Sequence, residues 1–249
     1  MAKEKRKVIQ AGRLWMAVQY TAIHTQNQTA RREARSMIST PAREALNAKT
    51  SWQKLMLVLA ANFKSTDLVV TLTYRDEDLP LTREAADKRL SNFIRAFRTA
   101  RKSHSPPDTV IYVRVTEGYH SDGRLHHHLI VNATGDDFNL IRQLWAKNGD
   151  DIDFEQFGHD GAERWAKYLT KEPRTKGRRY VGDRTWRCSR GMKRPDPSFE
   201  YVEKGDNLTA PPGAFVTDKA ECTNSYGHFC YMMALLPEEK LNSENSSLG

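Results

Sequence analysis

The sequence predicts an α+β fold, an antiparallel sheet with helices laid on it. Short β-branched runs at 67–74, 109–117 and 124–132 alternate with amphipathic helical segments at 82–102, 138–146 and 161–171. Asp122-Gly123, between the second and third of those runs, is a hairpin signal that makes the two strands antiparallel neighbours. The chain has 249 residues, 39% of them hydrophobic, which is enough to build a core.

A helix is expected over 41–63, with Thr40 as N-cap and Pro41 at the first helical position, where its missing N–H costs nothing. Leu46, Trp52, Leu55, Met56 and Leu59 recur at helical spacing. Asp67-Leu68-Val69-Val70-Thr71-Leu72-Thr73-Tyr74 is short and β-branched and reads as a buried strand. Asp76, Glu77 and Asp78 follow as a solvated loop. Thr82 caps the next helix, which carries Leu90, Phe93, Ile94 and Phe97 on one face. After a proline-containing loop at 103–108 come the two hairpin strands and the helix over 138–146. A short strand at 151–157 follows, and then a helix over 161–171 that Pro173 stops. Gly/Pro/Arg-rich loops beyond it hold short strands at 214–217 and 229–235. Trp52, Trp145 and Trp165 fall on apolar helix faces and are assigned to the core. Tyr74, Tyr119 and Trp186 are the aromatics that could stack on splayed bases.

The domain reading is a basic, partly disordered region over 1–50, a central domain over 51–195, a β-rich extension over 196–237 and a disordered tail over 238–249. Charge follows these boundaries. Residues 1–66 carry 12 basic and 3 acidic side chains, whereas 67–172 carry 15 and 18. Within 174–194, Arg174, Lys176, Arg178, Arg179, Arg184, Arg187, Arg190, Lys193 and Arg194 face a single acid, Asp183. Two basic segments bracketing a mildly acidic middle suit a phosphate backbone, since each neutralised phosphate releases a condensed counterion; a solvated basic tail is the other reading. No apolar run approaches the roughly 20 residues of a membrane span, and no signal peptide is visible. Three scattered cysteines, Cys188, Cys222 and Cys230, argue against a disulfide scaffold or a zinc ribbon. A cytosolic, basic protein is expected.

The most specific feature is Leu125-His126-His127-His128-Leu129-Ile130-Val131. Side chains alternate along a strand, so His126 and His128 share a face and His127 turns to the other. Two imidazoles so placed can ligate one metal ion. Glu117, at the end of the preceding strand, offers a carboxylate at similar height. With mixed N/O ligands, Mn²⁺ or Mg²⁺ is the expected ion, and Zn²⁺ or Co²⁺ could substitute in vitro. A surface hairpin that happens to be rich in histidine is the plain alternative. Downstream, Trp165-Ala166-Lys167-Tyr168-Leu169-Thr170-Lys171-Glu172 sets Tyr168 and Lys171 three apart on one helical face. A phenol with its ordinary pKa of about 10 is a poor nucleophile at neutral pH. A nearby ammonium and a metal-polarised phosphate would activate it.

Three blocks, taken in order, resemble the HUH endonucleases, the rolling-circle replication initiators of small replicons. Leu68–Thr73 with Tyr74 resembles their first motif. Leu125-His126-His127-His128-Leu129-Ile130 resembles the His-hydrophobe-His motif, with His127 in place of the usual apolar residue. Tyr168-Leu169-Thr170-Lys171-Glu172 is similar to the Tyr-x-x-Lys-acid motif of single-tyrosine initiators. Asn62-Phe63-Lys64 and Trp186-Arg187-Cys188-Ser189-Arg190 are similar to the phage and prophage replication-associated branch. The resemblance spans 49–195.

It implies the ferredoxin-like HUH fold, with a central five-stranded antiparallel sheet. It also implies a divalent ion held by Glu117, His126 and His128, and Tyr168 attacking a phosphate of single-stranded or hairpin origin DNA to leave a 5′-phosphotyrosine and a 3′-hydroxyl. Lys171 would assist the tyrosine, and the basic cluster from Arg174 to Lys193 would grip the backbone. Positions 164 and 172 hold Arg164 and Glu172, so the second tyrosine of two-tyrosine enzymes is missing and a single-tyrosine cycle is implied; Tyr180 is a remote candidate. The expected state is a monomer or weak dimer in the bacterial cytoplasm. Without a G-x-x-x-x-G-K-[ST] motif, unwinding falls to a host helicase and synthesis to a host polymerase. A single-tyrosine transposase or relaxase, a non-catalytic origin-binding protein, and a zinc protein built on Cys222, His228 and Cys230 are the competing readings.

Overall fold

Strand periodicity and helix caps play out in two separate units. The computed structural model describes residues 3–21, 41–104, 109–118, 124–133, 135–170, 186–224 and 227–237. One unit is Ala45–Met192; the other joins the two ends of the chain, Met1–Glu44 and Lys193–Gly249. The architecture is α+β, with two five-stranded antiparallel sheets.

The strands are β1 (Lys3–Ala11), β2 (Leu14–Thr21), β3 (Leu68–Thr73), β4 (Tyr112–Glu117), β5 (His126–Val131), β6 (Ile152–Gln156), β7 (Arg187–Cys188), β8 (Ser198–Glu203), β9 (Phe215–Asn224) and β10 (Gly227–Leu235). Four α-helices lie among the described residues: α1 (Pro41–Asn62), α2 (Arg83–His104), α3 (Asp137–Trp145) and α4 (Gly161–Leu169).

The central unit carries the sheet order β6-β3-β5-β4-β7. Alternation divides its side chains between two faces. Leu68, Val70, Leu72, Leu129 and Val131 meet Leu90, Phe93, Ile94 and Phe97 of α2 and Ile141 and Trp145 of α3 in one core. Burying a side chain of that size contributes roughly 1.5–3 kcal/mol, so this cluster, rather than the polar site, holds the sheet together. Val69, Val113, Val115 and Ile130 point the other way and are buried too. The apolar stripe of α4, Trp165, Ala166 and Leu169, is buried, as are Leu55, Met56 and Leu59 of α1. Helix α2 starts as the sequence predicts, because the Ala85 N–H donates to Thr82 Oγ1 at 3.2 Å.

Tyr74 corrects one expectation. It is 1% exposed, packed at 5.1 Å from Trp145, and cannot serve as a stacking platform. Trp145 and Trp165 are buried, as expected. Asp76, Glu77 and Asp78 form a 3-10 turn, in which Asp78 pairs with Arg75 at 2.7 Å and Asp76 with Arg124 at 2.7 Å. Tyr119 and the Asp122-Gly123 turn lie outside the described residues, yet the antiparallel pairing of β4 and β5 is plain. The expected disordered tail over 238–249 also lies outside them.

The larger correction concerns the N-terminus. Residues 3–21, read from sequence as part of a loosely packed basic region, form the β1–β2 hairpin inside a sheet ordered β8-β1-β2-β10-β9. Gly12, at φ 54, supplies the positive φ that a two-residue hairpin turn needs. The strands that complete this sheet come from 198–235, nearly the whole chain away. A core of Trp15, Ala17, Ala234 and Leu236, with Leu208, Ala210 and Ala214 packed against it, covers one face. Among the described residues no helix is long and apolar enough to cross a membrane.

Candidate metal centre

Antiparallel register brings the chemistry together. Glu117 lies opposite His126, and Thr71 and Val115 flank His128 on the neighbouring strands. Alternation then sends Glu117, His126 and His128 to one face, where their ligand atoms all lie within 4.8 Å of one another. His126 Nε2 is 3.2 Å from His128 Nε2, and Glu117 Oε2 is 3.7 and 3.6 Å from the two nitrogens. Glu117 and His128 are buried, while His126 keeps one edge open to solvent. Among the described residues this is the one group of three or more His, Cys, Asp or Glu side chains spaced to hold an ion.

The surrounding bonds aim the imidazoles. His126 Nδ1–H donates to the Arg124 carbonyl at 2.7 Å, which leaves the Nε2 lone pair facing the centre of the group. His128 Nδ1 meets Thr71 Oγ1 at 3.1 Å, and donation to that hydroxyl frees its Nε2 in the same way. Glu117 Oε1 is buried and has no hydrogen-bond partner among the described residues. A buried, unpaired carboxylate oxygen beside two converging imidazole lone pairs costs free energy until a cation fills the centre. The donor set therefore fits a divalent ion, and two nitrogens with a carboxylate leave positions for water and substrate.

Gly118 closes this corner. Its φ of 89 favours glycine, and a Cβ there would collide with the Arg124 carbonyl that holds His126.

His127 takes the other face, as alternation requires, and is fully buried against Trp145 and Tyr74. Burial above all, then the charges of Arg114, His126 and His128, pushes its pKa down to about 3. Its neutral ring is satisfied at both ends. Thr116 donates toward Asp87 at 3.4 Å and accepts from Nδ1–H at 2.9 Å, while Tyr74 donates to Nε2 at 2.7 Å. Burial raises the Tyr74 phenol well above its ordinary value, so it remains a donor. A polar ring thus stands where the resemblance has an apolar one, carried by two hydroxyls that sequence reading did not connect to it.

Helix α4 lies over the same face as the metal ligands. The ring of Tyr168 is 5.2 Å from that of His128, edge to face, and 5.6 Å from Trp165. Its side chain is 38% exposed, so the hydroxyl-bearing ring combines a packed base with access to solvent. Lys167 bridges to Glu163 at 2.5 Å and reaches over Trp52.

Lys171, Arg174, Lys176, Arg178, Arg179, Arg184 and Tyr180 lie outside the described residues. Arg187 is exposed but paired with Asp87 at 3.0 Å; Arg190 and Lys193 are exposed. Trp186 donates to Ser51 Oγ at 3.3 Å and is half-buried. The zinc reading has no support in the β9–β10 hairpin. Cys222 is opposite Phe229 and Cys230 opposite Glu221, which turns the two thiols to opposite faces.

Residues 67–173 match the family model for the replication-associated proteins of the ORF2 and gene-2-protein type. The matched segment runs from β3 through α4 and contains Thr71, Glu117, His126, His128 and Tyr168. It associates this part of the chain with replication. There is no significant match to a curated protein or a solved structure.

Sequence reasoning missed Thr71, Thr116 and the Arg124 carbonyl. Thr71 sits on the metal-facing side of its strand, but only the β3–β5 register sets it beside His128.

Proposed function

We propose that this protein is a replication initiator that nicks origin DNA by tyrosine transesterification and later rejoins the strand. The observation that carries the reading is the convergence, inside the segment matching the replication-associated family, of Glu117, His126 and His128 with Tyr168 on one face of the sheet.

Glu117, His126 and His128 would hold Mn²⁺ or Mg²⁺, which when bound supplies Lewis-acid polarisation of a phosphate. Tyr168 supplies the nucleophile. Its phenolic oxygen forms a bond to phosphorus as the bond to the 3′-oxygen breaks, and the phenol proton passes to solvent or a base. The products are a 5′-phosphotyrosine and a 3′-hydroxyl, which takes up a proton and can prime a host polymerase. Reversal of the same exchange by a 3′-hydroxyl reseals the strand. Trp165 packs the inner edge of Tyr168 and limits the directions its ring can take. By the resemblance, Lys171 assists the tyrosine. Arg190 and Lys193, the exposed members of the basic cluster among the described residues, suit the DNA backbone.

The test incubates the protein with Mn²⁺ and single-stranded DNA from the parent replicon, followed by proteolysis and mass analysis. A nucleotide adduct on Tyr168 is expected, absent from Tyr168→Phe and abolished by chelator. Tyr168→Phe should still bind Mn²⁺, because the ring touches His128 without being a ligand. Tight DNA and metal binding with no adduct on any strand would instead favour a non-catalytic origin-binding protein.

A further inference from the structure

In the terminal unit, one face of the sheet is covered by its core, and part of the other displays aromatic rings among lysines. Register aligns Tyr201, Lys5, Tyr20 and Phe229 in one row across β8, β1, β2 and β10. Phe199 and Lys7 begin the next row. Alternation puts all six on the face opposite the Trp15–Leu236 core. Phe199 is 53% exposed, Tyr201 64% and Phe229 44%. Exposed rings on an edge strand invite sheet-to-sheet association, which gives them a cost unless they are used.

The charges on β1 are arranged with the same asymmetry. On the covered face, Glu4 pairs with His228 and Arg6 with Glu200. On the open face, Lys3, Lys5 and Lys7 make no ion pair among the described residues, and Lys5 Nζ lies 4.5 Å over the Phe199 ring. Two carboxylates share this face: Glu203 opposite Lys3, and Asp218 toward the far end, opposite Met233. Lys5 and Lys7, between them, stand beside the rings.

We propose that this face is a second binding surface, for single-stranded DNA, separate from the chemistry around Tyr168. Stacked bases suit the rings and phosphates suit the lysines, in the sequence-tolerant manner of single-strand platforms. A second copy of the chain would present the same lysines against these lysines and would have to desolvate them unpaired. The choice of DNA over other polyanions rests on the replication reading above.

The test is fluorescence anisotropy with the full chain, a labelled oligo-dT of about 16 nucleotides and chelator throughout, so that the metal centre and Tyr168 chemistry stay silent. Phe199→Ala combined with Tyr201→Ala is expected to weaken binding about tenfold or more. Tyr201→Trp should retain it, and Lys5→Ala should reduce the slope of log affinity against log salt by about 0.7. A circular-dichroism melt checks that the double variant folds, which its exposed positions favour. Wild-type affinity in the double variant overturns the proposal. So does loss of a dimer on sedimentation with oligo-dT binding unchanged, which would assign the face to a second copy. Weakened binding together with no Tyr168 adduct would leave this surface standing and refute nicking. An adduct with unchanged oligo-dT binding would do the reverse.

Discussion

Glu117→Gln should move the stability of the metal-free and metal-loaded protein in opposite directions. The carboxylate is 5% exposed, its Oε1 is unpaired among the described residues, and Oε2 stands 3.6–3.7 Å from two imidazole nitrogens. Leaving a buried polar atom unsatisfied costs about 1–3 kcal/mol. Glutamine keeps the shape, removes the charge and brings an amide N–H that can donate toward His126 or His128. With chelator present, the variant should gain about 1–2 kcal/mol, a rise of roughly 2–8 °C in melting temperature for a chain of this size. Mn²⁺ at a hundred times its dissociation constant should stabilise the wild type by about 2.7 kcal/mol, or roughly 5–11 °C. If the substitution weakens the site about a hundredfold, the same Mn²⁺ adds only about 0.4 kcal/mol. Calorimetric melts of both proteins, with chelator and with Mn²⁺, decide it. A lower melting temperature in chelator, with an undiminished Mn²⁺ increment, would refute the reasoning. That result would make Glu117 a structural counter-charge to the imidazoles rather than a ligand.

Three further outcomes follow from the same geometry. Thr71→Val removes the hydroxyl 3.1 Å from His128 Nδ1 while keeping the β-branched shape; Mn²⁺ affinity measured by titration calorimetry should fall about 10–100-fold, and unchanged affinity would show that the hydroxyl does not orient the ring. Gly118→Ala should cost at least about 1–3 kcal/mol in chemical denaturation, from its positive φ and the clash with the Arg124 carbonyl. It should weaken Mn²⁺ binding too, because that carbonyl holds His126; a neutral result would refute both. In the terminal unit, Glu4 and Glu221 flank His228, and their hydrogen bonds, Glu4 first, raise its pKa. For Glu4, burial pulls the pKa up, but bonds from Gln19 and His228, helped by Lys204, leave it lowered. The raised histidine stabilises the fold fully below its ordinary value of about 6.5, and that stability fades as pH rises through the raised pKa. The lowered Glu4 stabilises above its ordinary value of about 4.3 and loses this as pH falls through the lowered pKa. The stability advantage of wild type over His228→Gln should therefore peak in mild acid, between those values, and shrink toward alkaline pH; a difference flat from acid to alkali in urea titrations would refute the linkage.

The sequence by itself determined the central unit's alternation of strands and helices and the pairing of β4 with β5. It also determined which of three consecutive histidines share a face. These follow from local rules, namely a period of two in strands, 3.6 in helices, and caps and prolines at their ends. The histidine pair and Glu117 were legible because a hairpin joins them within a dozen residues, so strand register does the placing. Tyr168 was legible only as a residue type on a helix; that its ring meets His128 is a matter of where α4 packs.

Tertiary structure alone decided the rest. Thr71 gained its role from a strand more than fifty residues before its partner, and Tyr74 lost its expected role by entering the core. The N-terminal strands escaped detection for a related reason. Lys3-Glu4-Lys5-Arg6-Lys7 has no apolar alternation to mark a strand, and its covered face is satisfied by groups from the other end of the chain, Glu200 for Arg6 and His228 for Glu4. Sequence pattern records what a residue asks of its near neighbours; partners two hundred residues away become visible only when the chain has folded.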